Sequence, residues 1–191
     1  MAQPPAAEEA VVENSLLERA AQGDADAFGQ LYDLHVDAVY RHIFYRMGNW
    51  DEAEELTAEV FLRAWQSVRR FRPQGYSCRG WLFKIGDNLV IDRFRRRARR
   101  PMAESGEADP GPLVEEIVGK SFEQERLRRA MAKLPPDQQQ VLILRFVEGM
   151  KAKEVAALMK KNEGAIRTMQ FRSLKALRAL LESEEAYHGK D

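Results

Sequence analysis

The sequence predicts an all-α fold of two small helical domains joined by a flexible acidic linker, and three observations carry that expectation. Apolar residues recur at three- and four-residue intervals through most of the chain, which marks one buried face per helix. No segment sustains the two-residue alternation of a half-buried strand. Residues 101–119 hold Pro101, Gly106, Pro110, Gly111, Pro112 and Gly119 among Glu and Asp, with too few apolar side chains to build a core.

Taken in order, residues 1–12 are Ala-, Pro- and Glu-rich without an apolar stripe and read as a disordered tail. Leu16, Leu17, Ala20 and Ala21 then open a first helix that Gly23-Asp24 interrupts, with Asp24 or Asp26 available to cap the next. That second helix carries Phe28, Leu31, Tyr32, Val36, Val39, Tyr40, Ile43 and Phe44 and should stop near Gly48-Asn49. A third begins around Asp51, where acidic residues suit the positive end of the helix dipole, and buries Leu56, Val60, Phe61, Ala64 and Trp65. Phe71-Arg72-Pro73 to Ser77 is loop punctuation. The fourth helix runs from about Arg79 to Arg100, with Leu82, Ile85 and Leu89 toward a core and Lys84, Asn88, Asp92 and Arg95 on another face.

Beyond the linker, Leu134-Pro135-Pro136 separates two striped helices, since proline ends one and suits the first turn of the next. The second of these contains Val141, Leu142, Leu144, Arg145 and Phe146 and ends at Glu148-Gly149. Residues 151–181 then give a short helix through Val155, Ala156, Leu158 and Met159, a turn at Lys160-Lys161-Asn162, and a longer helix. Burying Ile166, Leu174 and Leu177 on that last helix turns Arg167, Thr168, Phe171, Arg172 and Lys175 outward. Asn162 is the expected N-cap, and Gly164 leaves room for a close helix approach. The domains expected are therefore residues 13–100 and 120–185, with the linker 101–119 between them and a short tail at 186–191.

The 191 residues carry 30 basic and 30 acidic side chains, yet the charge is blocked. Lys and Arg against Asp and Glu number 3 to 13 in residues 1–59, 12 to 2 in 60–100, 1 to 7 in 101–125 and 14 to 8 in 126–191. Blocks of minus ten, plus ten, minus six and plus six sum to zero but imply separate surfaces with separate partners. The single cysteine, Cys78, rules out an internal disulfide and reads as a small thiol without redox chemistry. His35, His42 and His188 show no zinc-ligand spacing with it, so neither metal nor cofactor is expected. No Gly-rich phosphate loop and no nucleophile with a base at motif spacing is present, which argues against an enzyme; Glu115-Glu116 falls in the linker. There is no signal-peptide pattern and no apolar run of membrane-spanning length, so a cytoplasmic protein without membrane insertion is expected.

Two features point to nucleic acid. The helix from Trp81 runs into a cluster of arginines from Arg93 to Arg100, and guanidinium groups so crowded are best screened by phosphates, whose geometry matches their donor fork. The paired helices of 151–181 have helix-turn-helix spacing, which could place Arg167, Thr168, Phe171, Arg172 and Lys175 in a major groove.

Together these segments resemble the extracytoplasmic-function class of the bacterial sigma-70 family, the promoter-specificity subunits of RNA polymerase. Gly23-Asp24-Ala25-Asp26-Ala27-Phe28 with Leu31-Tyr32, the acidic helix Asp51 to Trp65, and Trp81-Leu82-Phe83-Lys84-Ile85 with Asn88-Leu89-Val90-Ile91-Asp92 resemble region 2. Leu134-Pro135-Pro136-Asp137-Gln138, Leu144-Arg145-Phe146 and Glu163-Gly164-Ala165-Ile166-Arg167 resemble region 4.

The resemblance implies a factor that directs core polymerase to promoters and nucleates melting of the -10 element; the alternative is a stand-alone helix-turn-helix regulator. It implies -10 contacts by Ser77, Arg79, Lys84, Asn88, Asp92, Arg95 and Arg96, with Asn88 meeting an unstacked base. It implies -35 contacts by Arg167, Thr168, Phe171, Arg172 and Lys175, and docking of Glu54, Glu55, Leu56, Glu59 and Val60 on the clamp helices of the largest subunit. Core polymerase through its clamp helices and flap, promoter DNA and an anti-sigma factor are the implied partners. Cys78 stands where the family commonly has phenylalanine, Lys151 where it has a serine N-cap, and Met169 where arginine is common. Lys160 replaces the usual turn glycine, which argues against left-handed backbone there.

Overall fold

A computed structural model describes the backbone of residues 6–71, 77–99 and 121–188, and the side chains of 11–71, 77–99 and 125–183. The linker and the segment 72–76 thus lie outside the described residues. All regular structure among the described residues is helical: α1 (Ala6–Ala21), α2 (Ala25–Met47), α3 (Trp50–Ser67), α4 (Cys78–Arg99), α5 (Ser121–Ala132), α6 (Pro136–Leu142), α7 (Ala152–Met159) and α8 (Glu163–His188).

Local chemistry sets most of the ends. The Asp24 carboxylate accepts from the Ala27 N–H at 3.0 Å and starts α2, and the Asn49 side chain accepts from the Glu52 N–H at 2.9 Å and starts α3. Between them Gly48 takes φ 68°, left-handed backbone that closes α2 by an N–H bond to the Phe44 carbonyl at 2.8 Å. Pro136 sits in the first turn of α6, where its missing N–H costs nothing. That helix loosens at Ile143–Val147 into a π-helical turn, marked by the bond from Glu148 N–H to Ile143 carbonyl at 2.9 Å.

Four expectations change. Helix α1 starts at Ala6, inside the stretch read as a tail, because Ala and Glu favour helix without needing a stripe. Helix α8 continues to His188, past the expected boundary at 185. Trp65 is 37% exposed rather than buried, with its ring 5.0 Å from that of Phe28 at the rim. Lys160 is left-handed after all, at φ 53°, and Lys161 N–H reaches the Ala156 carbonyl at 2.9 Å in the return bonding that ends α7.

Helices α1–α4 form one bundle. Leu31, Val39 and Ile43 of α2 meet Ala53, Val60 and Ala64 of α3 and Leu82, Phe83 and Val90 of α4, all nearly or fully buried. A Cβ on Gly86 would lie 3.5 Å from Ile43 and Val60 side chains, so α4 seats closely where it crosses both partners. Helices α5–α8 pack around Val141, Ile143, Leu144, Val155 and Ile166.

The two groups meet through polar bonds. Asp87 on α4 lies within 2.9 Å of His42 Nε2, and it accepts from Arg46 and from the side-chain amide of Gln140 on α6. The Arg41 fork meets the buried Glu148 carboxylate with two bonds of 3.2 Å. Burial works to raise the Asp87 carboxyl, but His42 and Arg46 outweigh it and hold it below the ordinary carboxylate value.

Candidate nucleic-acid interface

Helix α4 presents the first surface. Ser77 accepts from the Gly80 N–H at 3.3 Å and so acts as the local start of the helix, while the Arg79 guanidinium lies 5.8 Å from the Phe83 ring centroid. Both side chains therefore have a structural task within the bundle. One turn on, Lys84 and Asn88 line a cleft of about 250 Å³ whose other wall is Asp137 and Gln140 of α6 with Lys160 and Lys161 after α7. Asn88 is exposed and offers both a donor pair and an acceptor at the cleft edge.

The arginine run past Asn88 divides. Arg93 donates to Glu55 at 2.6 Å and lies 3.5 Å from Glu52, and Arg97 meets Glu52 at 2.5 Å. These two cations lie toward the acidic α3, and the hydrogen bond from Arg93 holds the Glu55 carboxyl below its ordinary value. Arg95 and Arg96 remain exposed, with Arg95 3.9 Å from Asp92 on the same helix face. The cationic surface not engaged with α3 among the described residues is thus narrower than the arginine run of the sequence, because i, i+3 and i, i+4 spacing alternates the side chains between α3 and solvent.

Helix α3 forms a second surface, and here the sequence expectation needs correction. Leu56 and Val60 are 3% and 0% exposed and belong to the bundle core, so they offer no partner contact. Glu54 and Glu55 are exposed, and Glu59 is half-buried and paired with Arg63 at 2.7 Å. Leu62, which the sequence reading did not single out, is 53% exposed. Helical spacing could have found it, since it follows Glu55 by two turns and shares its face.

Helix α8 forms the third. Asn162 accepts from the Ala165 N–H at 2.7 Å, the expected cap, and Ile166 is fully buried. Arg167, Thr168, Phe171, Arg172 and Lys175 are all exposed as expected, with Phe171 at 70% and Arg167 steadied by Glu163 at 2.6 Å. An aromatic ring so open amid cations suits contact with a methyl or sugar on nucleic acid. Two details differ. Leu174 is 41% exposed, and the buried neighbour is Ser173, whose hydroxyl bonds the Met169 carbonyl at 2.8 Å. Gly164 is not required by helix packing, since a Cβ there would meet only the Asn162 side chain at an ordinary 3.4 Å.

The chain is similar in sequence and fold to known proteins. Residues 31–100 match the family model of Sigma-70 region 2 and residues 124–177 that of Sigma-70 region 4, together more than half of the chain. The chain is 42% identical over 172 residues to the ECF RNA polymerase sigma factor BldN of Streptomyces coelicolor, covering 87% of the chain and 64% of BldN. It is 33% identical over 171 residues to the ECF RNA polymerase sigma factor SigE of Mycolicibacterium smegmatis, covering 84% of the chain and 65% of SigE. The chain thus spans a little under two thirds of the length of these two relatives. Among solved structures, CnrH in complex with the cytosolic domain of CnrY matches with a TM-score of 0.67 at 27% identity, over 90% of this chain and 98% of that one.

Proposed function

The chain belongs to the extracytoplasmic-function class of the sigma-70 family, and on that premise we propose that it directs core RNA polymerase to specific promoters and nucleates melting of the -10 element. The observation that carries this reading is the presence, in one chain, of two exposed cationic helix faces on α4 and α8 beside an acidic helix α3. A duplex reader acting alone needs only the α8 face. In this proposal residues 13–100 are the domain for core binding and -10 recognition, and residues 120–185 are the domain for -35 recognition.

Arg167, Arg172 and Lys175 neutralise phosphates and can reach guanine edges, while Thr168 and Phe171 supply methyl and ring contacts in the major groove. On α4, Asn88 meets an unstacked base of the melted strand with Lys84 beside it, and Arg95 and Arg96 hold the flanking phosphates. Ser77 and Arg79 act as positioning residues for that helix. Glu54, Glu55 and Glu59 steer α3 onto basic clamp helices of the largest subunit, with Leu62 as the apolar contact, and the second domain meets the flap.

Melting is driven by binding energy, so the chain breaks no bond, needs no cofactor and works in the cytoplasm where polymerase is. No described helix is long and apolar enough to cross a membrane. A protein partner of the anti-sigma type, which the family resemblance implies, is also part of the proposal; CnrH was solved in complex with the cytosolic domain of CnrY.

The test is to combine the purified chain with core polymerase and transcribe a promoter library. The expected result is sub-micromolar core binding and initiation at a defined promoter class, both lost in Glu54→Lys with Glu55→Lys while duplex DNA binding persists. A chain that binds promoter DNA but not core would overturn the proposal in favour of a free-standing regulator.

A further inference from the structure

Glu13 of α1, His35 of α2 and Cys78, the first residue of α4, converge at one point of the bundle. Their ligand atoms all lie within 4.8 Å of one another, and the Glu13 Oε1 to His35 Nε2 distance is 2.7 Å. His35 is 9% exposed and Cys78 3%, whereas the Glu13 side chain is 18% exposed and leaves an approach from the surface. His35 Nε2 is buried and has no hydrogen-bond partner despite the short contact to Glu13. The carboxylate oxygen is therefore close to the ring nitrogen but out of line with an N–H donor, an arrangement in which both atoms can direct lone pairs into the same space.

We infer that Glu13, His35 and Cys78 form a site for a single divalent transition-metal ion of zinc-like preference. The donor set decides the class. One cysteine sulfur, one imidazole and one carboxylate is the mixed set that zinc and cobalt accept, whereas calcium and magnesium take oxygen alone. Burial and then Glu13 keep the free Cys78 thiol protonated, so metal binding releases that proton to solvent. Two atoms bound to one zinc at ~2.0 to 2.3 Å and a tetrahedral angle stand ~3.3 to 3.8 Å apart. The Glu13–His35 contact of 2.7 Å is already inside that range's upper limit and no pair of the three ligand atoms is more than 4.8 Å apart, so side-chain adjustments of about 1 Å bring the set to bonding geometry. Three protein ligands leave the fourth position to water.

The placement gives the ion a mechanical role. It cross-links α1 and α2 to the first residue of α4, directly after Ser77, which starts the helix carrying Asn88. Loading the site fixes the start of that helix against the rest of the bundle. Sequence spacing concealed the cluster because its three members come from three separate helices.

A chain with one cysteine makes the test decisive. Untagged full-length protein is titrated with Co²⁺ alone and the sulfur-to-cobalt charge-transfer absorption is recorded; one equivalent is expected to produce the band and Zn²⁺ to abolish it by displacement. Since Cys78 is the sole thiol, that band identifies the ligand without any variant. Cys78→Ser should remove the band, and Glu13→Gln should weaken Co²⁺ binding more than tenfold with helical content unchanged by circular dichroism. Zn²⁺ should raise the melting temperature of the wild type but not of Cys78→Ser. Absence of the band in the wild type, or Co²⁺ binding without sulfur absorption, overturns the inference and leaves Glu13–His35 as an ordinary buried ion pair beside a thiol.

Discussion

Replacing Asp87 by Asn should be among the most destabilising single changes in this chain, because one buried carboxylate on α4 serves partners on two other helices. Its oxygens meet His42 and Arg46 of α2 and Gln140 of α6, and the Arg46 side chain is only 3% exposed. Asparagine keeps the shape but removes the charge, which leaves a guanidinium in the interior without a counter-ion. Breaking a buried pair by deleting one partner costs ~3–5 kcal/mol. For a chain of this size ~1 kcal/mol moves the melting temperature by ~2–4 °C, so a fall of about 6–20 °C is expected.

The assay is urea unfolding followed by far-UV circular dichroism at pH 7, with wild type and variant compared at equal slope. The sign of the pH dependence follows from the depressed carboxyl. Its stabilisation is fully present above its ordinary value of 3.8 and is lost as the pH falls through the lower folded value. The gap between wild type and Asp87→Asn should therefore close progressively below about pH 4. A double change, Asp87→Leu with Arg46→Met, removes both charges and should recover most of the loss. A loss under ~1 kcal/mol for Asp87→Asn at pH 7 would refute the claim that this carboxylate compensates a buried charge.

Further outcomes follow from the same contacts. Asn88→Ala should alter promoter choice at the -10 element in a library transcription assay, whereas Arg96→Gln should weaken all promoters and lower the logarithmic salt slope by about 1. Arg41→Ala leaves the fully buried Glu148 side chain without its fork and should cost about 2 kcal/mol in urea unfolding; a change within ~0.5 kcal/mol would mean that the carboxylate is otherwise satisfied. Phe171→Ala, at a ring that is 70% exposed, should leave stability within ~0.5 kcal/mol yet reduce anisotropy-measured affinity for -35 duplexes.

What the sequence disclosed follows from the range of the interactions involved. The caps at Asp24 and Asn162 and the outward face of α8 depend on neighbours within one turn, and there the periodicity and the structure agree. The left-handed Lys160 defied its residue type because two return bonds at the end of α7, from Lys160 and Lys161, outweigh the ~1–2 kcal/mol that a side chain costs in that conformation. Leu56 and Val60 teach a different lesson. Their spacing marks them as core, and a side chain buried in the bundle cannot also meet a partner.

The contacts that join the two helical groups were hidden for a physical reason. Asp87 is one of only two acids in a strongly basic block and precedes the exposed Asn88, so on sequence alone it reads as a surface charge. A helix turns by 100° per residue, and that single step carries the chain from solvent to interior. What makes burial of Asp87 tolerable is Arg46, His42 and Gln140, none of them near it in sequence. Glu148 follows the same logic, as an acid at a helix end that would look solvated but for Arg41. Reading a single helix predicts the faces it leaves to solvent, as on α8, because those faces need no partner within the chain. Buried polar groups have no such local signature, since each is tolerated only where another helix supplies the opposite charge or the missing hydrogen bond.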